Sequence, residues 1–485
     1  MAGIRESPVF ARMGRIAATA ALCLTVALMV TTGTAAAEFG SLPPANPHLG
    51  PPGTATMHGD AESSDATPFA GPGTGSIDSD FRELAAACPT ILQGADGIPQ
   101  ALCTKIIDRA PKVFLLDPGS GQPLASLDLA KGSLLGGVYA YLDSDDRMVT
   151  VDGSGQLLRI GHRKDGDDWK LFIETRTDIA QAVTGHCGGS GCDAVSSVMP
   201  DFDGRVWFAT DNAAAGYSDP ATGAARSIVL GPGEKVANSI STAPEGVSIA
   251  TTHALYLVDV DDTGGPRIVW RQAYDRGPAR KPGQLSWGTG ATPTFFGPGS
   301  GTEYVAITDN AVPKENLLVF DTAGGNPVCS VPTVKGTENS PIGSGNSLFV
   351  ASTYGYPYPA VPEGAGDSDP AHASFTGGMV RVDVSGSGCQ VKWTNDVLSA
   401  AVPRLSVADG KIYTVARHSI ISTGSAGLTD TFRYTVIDAA TGRVDTEKVI
   451  GATAVHNTLQ MVGTIAPDRT LYQGTMSGLF RIAPR

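Results

Sequence analysis

Charge is scarce in this chain. Only 17% of its 485 residues are Asp, Glu, Lys or Arg, and the acidic ones outnumber the basic ones, for a formal charge of −13. Residues 1–37 carry Arg5, Glu6, Arg12 and Arg15, a net +2, so the remainder stands at −15 against −13 for the whole. A surface of that sign does not neutralise phosphates, which excludes nucleic acid as a partner. Aromatic residues are sparse at 7%, yet 41% hydrophobic residues supply enough material for a core, so the chain is not disordered throughout. No hydrophobic run beyond residue 37 is long enough to cross a bilayer. Gly-x-Ser-x-Gly and His-Glu-x-x-His are also missing, which removes the common signatures of serine hydrolases and zincins.

At the N-terminus, Arg5, Arg12 and Arg15 precede an uncharged apolar stretch from Ile16 to Val30, and Ala35-Ala36-Ala37 follows. This is the three-part layout of a secretory signal over residues 1–37, with cleavage expected before Glu38. An uncleaved anchor, in which the apolar stretch extends to Ala37, is the alternative. The chain is therefore expected to be secreted or held in the cell envelope, monomeric, and without a stable membrane span after cleavage. Cys23 lies in the signal. The other six cysteines form an even set in an exported chain, which suggests up to three disulfides among ~15 connectivities. Proximity favours Cys187 with Cys192 and Cys88 with Cys103, and elimination leaves Cys329 with Cys389. Zinc at Cys187 and Cys192 would find only His186 close by and is disfavoured.

Gly and Pro are abundant, 60 and 33 residues, which is about 19% against a usual ~12% and calls for many short elements joined by turns. Residues 38–80 read as a flexible leader rich in Pro, Gly, Ser, Ala and Asp. Residues 81–110 read as a small disulfide-stapled plug or lid, with a short helix over Phe81 to Ala87. From 111 to 485 one unit recurs. Its second strand is Met148-Val-Thr-Val151, Val206-Trp-Phe-Ala209, Val247-Ser-Ile-Ala250, Tyr304-Val-Ala-Ile307, Leu348-Phe-Val-Ala351, Ile412-Tyr-Thr-Val415 and Leu471-Tyr-Gln-Gly474. Intervals of about 40 to 65 residues match a four-stranded propeller blade with insertions. Asp203-Gly204, Glu245-Gly246 and Asp409-Gly410 precede such runs with hairpin-turn chemistry, and third strands end in Asp259, Asp321, Asp383 and Asp438. After Leu479-Phe-Arg-Ile482 an outer strand is missing. The hairpin Val113–Asp128 could complete that last blade, tying the termini together and removing the open edge. The expected fold is all-β, a closed seven-bladed β-propeller, with six or eight blades as alternatives.

Val236-Ala-Asn238-Ser-Ile-Ser-Thr-Ala-Pro-Glu-Gly246, followed by Leu255-Tyr-Leu-Val-Asp259, resembles the Asn-containing inner-strand signature of the gluconolactonase, paraoxonase and strictosidine synthase propellers. Asp203-Gly-Arg-Val-Trp-Phe-Ala209 and Ala466-Pro-Asp468 are similar to blades of that group and of streptogramin-lyase-like propellers. Asp438-Ala-Ala-Thr-Gly442 resembles the repeats of pyrroloquinoline-quinone-type propellers. A quinone dehydrogenase itself is disfavoured, because five scattered Trp and no adjacent cysteines do not match its repeated Trp motifs and vicinal pair.

In a propeller, inner-strand starts and the turns after second strands converge on one channel mouth. Glu338, Asn339, Asn238, Asp309 and Asn457 could give Ca²⁺ the oxygen ligands it wants, and the resemblance implies a Glu/Asn/Asp set doing so. By the same resemblance a bound cation would polarise an ester or lactone carbonyl while His456, His253 or Asp211 handles protons. Trp287, Tyr354, Arg404 and His418 are candidate ligand contacts. Each has a plainer reading: Asp and Asn commonly cap turns, Arg404 could pair with a carboxylate, and Trp287 could simply pack. The insertion Tyr354–Phe375 is too polar and Pro-broken for core and reads as a lid or rim loop. Two functions are expected from this: a metal-dependent ester or lactone hydrolase, or a non-catalytic propeller that recognises a small molecule, a glycan, a cell-wall component or a protein.

Overall fold

Short runs of β-branched and aromatic residues, cut by Gly-rich turns, leave this chain little option but strands. A computed structural model describes residues 39–132, 138–188, 192–362, 364–419 and 429–485, and the proposed signal lies outside the described residues. Eight antiparallel sheets of four strands follow one another around a ring. Blade 1 comprises Ala86–Gln93, Pro99–Lys105, Pro111–Leu116 and Pro123–Asp128. Blades 2 to 7 begin with inner strands Tyr141–Leu142, Val195–Pro200, Ser241–Ala243, Thr294–Phe296, Ile342–Ser344 and Arg404–Ser406. Blade 8 comprises Gly463–Ile465, Leu471–Gly474 and Gly478–Pro484, and its outer strand is Ile77–Glu83 from the other end of the chain.

The ring thus has eight blades, not the favoured seven. All seven recurring runs are second strands, and the eighth is Pro99–Lys105. Pro89, Gln93, Pro99 and Gln100 dilute the apolar pattern of blade 1's inner pair, and the sequence there does not read as a repeat. Val113–Asp128 is therefore the outer hairpin of its own blade. Ring closure falls instead to the segment expected to be helical at Phe81. Ile77 and Phe81 project to the same side at strand spacing and pack into the core of blades 7 and 8, with the Phe81 and Phe480 rings 5.4 Å apart.

Apolar clusters fill the spaces between blades. Two tryptophans add fixed joints. Trp270, on the outer strand of blade 4, donates from Nε1 to the Thr322 carbonyl of blade 5 at 2.9 Å. Trp393 of blade 6 donates to the Ala439 carbonyl of blade 7 at 3.0 Å. A Cβ at Gly325 would stand 2.6 Å from the Trp270 ring and one at Gly442 2.5 Å from Trp393, and both glycines have φ near +70°. Only Gly fits such a turn under an indole. The repeated Asp-x-x-x-Gly endings are these turns.

Residues 39–76, expected to be a flexible leader, are an ordered plug. Phe39 is buried against Phe349 and Arg381. The chain then passes under the ring and into its axis, where the blades' inner strands find backbone partners. Gln93, Leu142, Thr242, Phe295, Gly343 and Leu405 donate their N–H groups to the carbonyls of Thr54, Ala55, Ala61, Glu62, Ser64 and Asp65 at 2.8–3.1 Å. Asn46 donates to the Pro200 carbonyl of blade 3, and Arg469 of blade 8 donates to that of Gly71. Ala66–Thr67 adds a parallel strand beside Arg404–Ser406. Proline and glycine, read as signs of mobility, here let the backbone turn often enough to meet successive blades.

Candidate functional site

The loops between blades and the turns after second strands open on the ring face opposite the plug's entry. Over that face lies the insertion that follows Leu348–Ala351 of blade 6. Gly355 donates to the Pro282 carbonyl at 2.8 Å and Asp369 to that of Arg280 at 2.9 Å, while Arg280 Nε donates back to Gly366 at 3.0 Å. The Tyr356 hydroxyl bonds Asn457 Oδ1, and its ring is buried with Ala400, Ala401, Val415 and Phe432. The insertion is a lid that grips the loops before blades 5 and 8. Its tyrosine at 356 is used for anchoring.

Beneath it lies Glu338. Its Oε2 accepts the Leu285 N–H at 2.9 Å, and its own N–H donates to Thr353 Oγ1 at 2.9 Å. Oε1 is buried without a partner. Burial pushes the carboxyl up to about 7, against the pull of the Leu285 amide and the Asn238 side chain. Asn238 accepts the Tyr139 hydroxyl at 3.1 Å and donates to the Gly290 carbonyl. Asn339 donates to Gln460 Oε1 at 3.1 Å. Asp309 stands apart, its oxygens accepting from Ala311, Asn316 and the Asn316 side chain at 2.7–3.1 Å, the turn-capping role open to it from the sequence.

This set does not fit calcium. The amide oxygens of Asn238 and Asn457 already accept phenolic hydroxyls, Asp309 is absorbed in its turn, and one carboxyl that resists ionisation is left. Ca²⁺ takes six to eight oxygens, ionised carboxylates prominent among them. Among the described residues no group of three or more His, Cys, Asp or Glu is placed to hold a metal ion.

The proton-handling candidates are spread over three blades. His456 donates from Nδ1 to the Ala452 carbonyl and lies between Phe81 and Phe480 on blade 8. His253, in the second turn of blade 4, bonds Thr252 Oγ1 through Nδ1 and Arg276 Nη1 through Nε2, each at 2.9 Å. Burial and the neighbouring Arg276 charge lower its pKa. Asp211 sits in the corresponding turn of blade 3, its N–H bonded to the Ala194 carbonyl.

Of the ligand candidates, Arg404 is buried in the axis and holds the plug, so it is not a mouth residue. His418 lies near the end of Lys411–Ser419, with Nε2 3.4 Å from Glu447. Tyr354 starts the lid with the Lys335 ammonium 5.7 Å from its ring centre. Trp287 is 37% exposed. Its Nε1 donates to the carbonyls of Arg276 and Gly277 at 3.0 and 3.3 Å, which fixes the ring's orientation. Tyr139, Arg276 and Gln460 were not singled out from sequence: each stands in a loop before an inner strand, without a repeat position to mark it.

No family model and no curated protein matches this chain. Among solved structures, the quinohemoprotein alcohol dehydrogenase of Comamonas testosteroni aligns with a TM-score of 0.53 over 89% of this chain and 80% of its own, at 11% identity. The two share a β-propeller fold. The WD40 domain of Toxoplasma gondii coronin aligns at a TM-score of 0.44 and 9% identity, covering 86% of this chain and 89% of its own. BamB of Moraxella catarrhalis aligns at 0.37 and 13%, covering 70% and 93%. At such identities the likeness extends to architecture alone.

Proposed function

We propose that this chain is a non-catalytic binding propeller of an extracytoplasmic compartment that recognises a glycan on its lidded face. The observation that carries this is Trp287: an exposed indole with its N–H satisfied and its ring direction fixed offers a rigid, low-entropy stacking surface. The plug supports it, since the axis that would hold a central substrate is occupied by the chain's own backbone. Three disulfides fit an oxidising compartment, and no described helix is long and apolar enough to cross a membrane. The test is calorimetric titration of the purified chain with neutral and acidic hexasaccharides. Binding of at least one, weakened tenfold or more by Trp287→Ala, is expected. No binding of any would remove the reading.

A second reading, hydrolysis of an ester or lactone, has one observation in its favour: Glu338, with a free Oε1 and a pKa near 7, has the properties of a general acid or base. It needs an activated nucleophile beside it. Ester turnover abolished by Glu338→Gln would establish that reading over the first.

A further inference from the structure

Beside Trp287 lies a guanidinium that the fold orients without neutralising. Arg276 stacks on the indole with its central carbon 4.0 Å from the ring centre. Its Nη1 donates to His253 Nε2 at 2.9 Å, and its Nε is buried with no partner. No described carboxylate pairs with it. The nearest acid in sequence, Asp275, has Oδ1 occupied by the Gly277 N–H at 2.9 Å, and Glu234 is committed to Arg271 at 2.9 Å, to Tyr256 and to Thr251. In a chain with an acidic excess, an arginine held by an aromatic ring and a neutral imidazole, and not by a carboxylate, is a reserved positive charge.

A second cation stands nearby. Thr252 Oγ1, bonded to His253 Nδ1, also accepts the Lys235 N–H at 3.2 Å. The Lys235 ammonium reaches the lid, 3.5 Å from where a Cβ would stand on Gly364. It has no ion-pair partner among the described residues. Lys235, His253, Arg276 and Trp287 thus form a hydrogen-bonded and stacked row between blades 4 and 5 at the lid's edge.

We infer that this row is a recognition site for an acidic glycan, a sugar ring bearing carboxylate or sulfate. The proposal rests on the glycan-binding reading and names its ligand class. The ring's C–H face lies on the exposed part of Trp287, and the anionic substituent meets the open donors of Arg276, whose planar fork suits a two-oxygen anion. Burial and the adjoining Arg276 charge both disfavour protonation of His253, so it orients the guanidinium without adding charge.

The test uses the intact chain and three probes: hexagalacturonate, a heparin-derived hexasaccharide and maltohexaose. One of the two acidic probes is expected to bind at least tenfold more tightly than maltohexaose, and to weaken as sodium chloride is raised from about 50 to 500 mM. The tighter of the two tells carboxylate from sulfate. Arg276→Gln should reduce that affinity about tenfold and abolish the preference over maltohexaose, with Arg276→Lys intermediate because it keeps charge but loses the fork. A melting temperature within about 2 °C of wild type confirms that Arg276→Gln remains folded, and Lys235→Gln offers an independent exposed variant should it not. Equal binding of maltohexaose overturns the acidic preference while sparing the glycan reading. Binding of none overturns both.

Discussion

Arg404 Nη2 donates to the carbonyl of Met57 at 2.5 Å, joining residues 347 positions apart in the sequence. Arg404 Nε also bonds the Gly463 carbonyl of blade 8 at 3.1 Å, and Nη1 stands 3.6 Å from Asp65 Oδ1. One buried guanidinium therefore links blade 7, blade 8 and the plug. Asp65 is fully buried, and its other oxygen meets His58 Nδ1 at 2.9 Å. Arg404→Met should leave Asp65 short of a compensating charge and destabilise the fold by about 3–5 kcal/mol. Urea unfolding measures the loss, and limited proteolysis should cut residues 39–76 early in the variant. An unchanged midpoint and digestion pattern would mean that the plug is held by its backbone bonds alone.

The plug also carries Glu62, fully buried with both carboxylate oxygens unpartnered. Burial raises its pKa well above the usual value, and nearby Asp60 and Glu245 add to the rise. The native state therefore keeps this proton to higher pH than the unfolded chain. Stability is full below about 4.5 and falls as pH rises from there through the folded value. Asp60, raised to about 6, acts in the same direction. Glu62→Gln should match wild type at pH 4 and exceed it at pH 8 by about 1–3 kcal/mol. Melting curves across that range check it; parallel curves for the two proteins would show that Glu62 does not set the dependence.

Legibility followed periodicity. Seven second strands were readable because Val, Ile, Phe and Tyr cluster there between Gly turns, whereas Pro99–Lys105, with Gln100 and Pro99, gave no such run and the blade count came out one short. Trp270 and Trp393 looked scattered because each serves the next blade and not its own, a relation that appears only when Gly325 and Gly442 are seen beneath them. At the site, the sequence places Glu338, Asn238 and Trp287 at inner-strand starts, whereas they lie in the loops just before Ile342–Ser344, Ser241–Ala243 and Thr294–Phe296. What the spacing could not convey is that the amide oxygens would be taken by Tyr139 and Tyr356, or that residues 39–76 would fill the axis. Those depend on contacts between segments far apart in the sequence.

If the oxygens under the lid are committed as described, divalent metal should be irrelevant to stability. The melting temperature is expected to stay within about 1 °C when millimolar calcium is replaced by EDTA. A calcium-dependent rise lost in Glu338→Gln would restore a cation to this site and argue for the hydrolase reading. Glu338→Gln should itself stabilise at pH 8.5 and be neutral at pH 4, because wild-type Glu338, with a pKa near 7, is ionised in the fold only at the higher pH.

The outer rim offers a last test. Cys329, on the outer strand of blade 5, is joined to Cys389 on that of blade 6, across 60 residues of sequence. Strand pairing is confined to each sheet, so neighbouring blades are joined by side-chain packing and by side-chain hydrogen bonds such as those of Trp270 and Trp393. The bridge closes a loop containing the whole of blade 6's inner part and the lid, so its removal releases both in the unfolded chain. Chain entropy for a loop of that length predicts a loss of about 4 kcal/mol for the Cys329→Ser, Cys389→Ser double variant. By contrast, the Cys88–Cys103 bridge spans only 15 residues, within the inner hairpin of blade 1, and should contribute about 1 kcal/mol less. Comparing the two in urea unfolding ranks them. A larger loss from the shorter bridge would show that local packing in blade 1, where both sulfurs are fully buried, outweighs the loop-entropy effect.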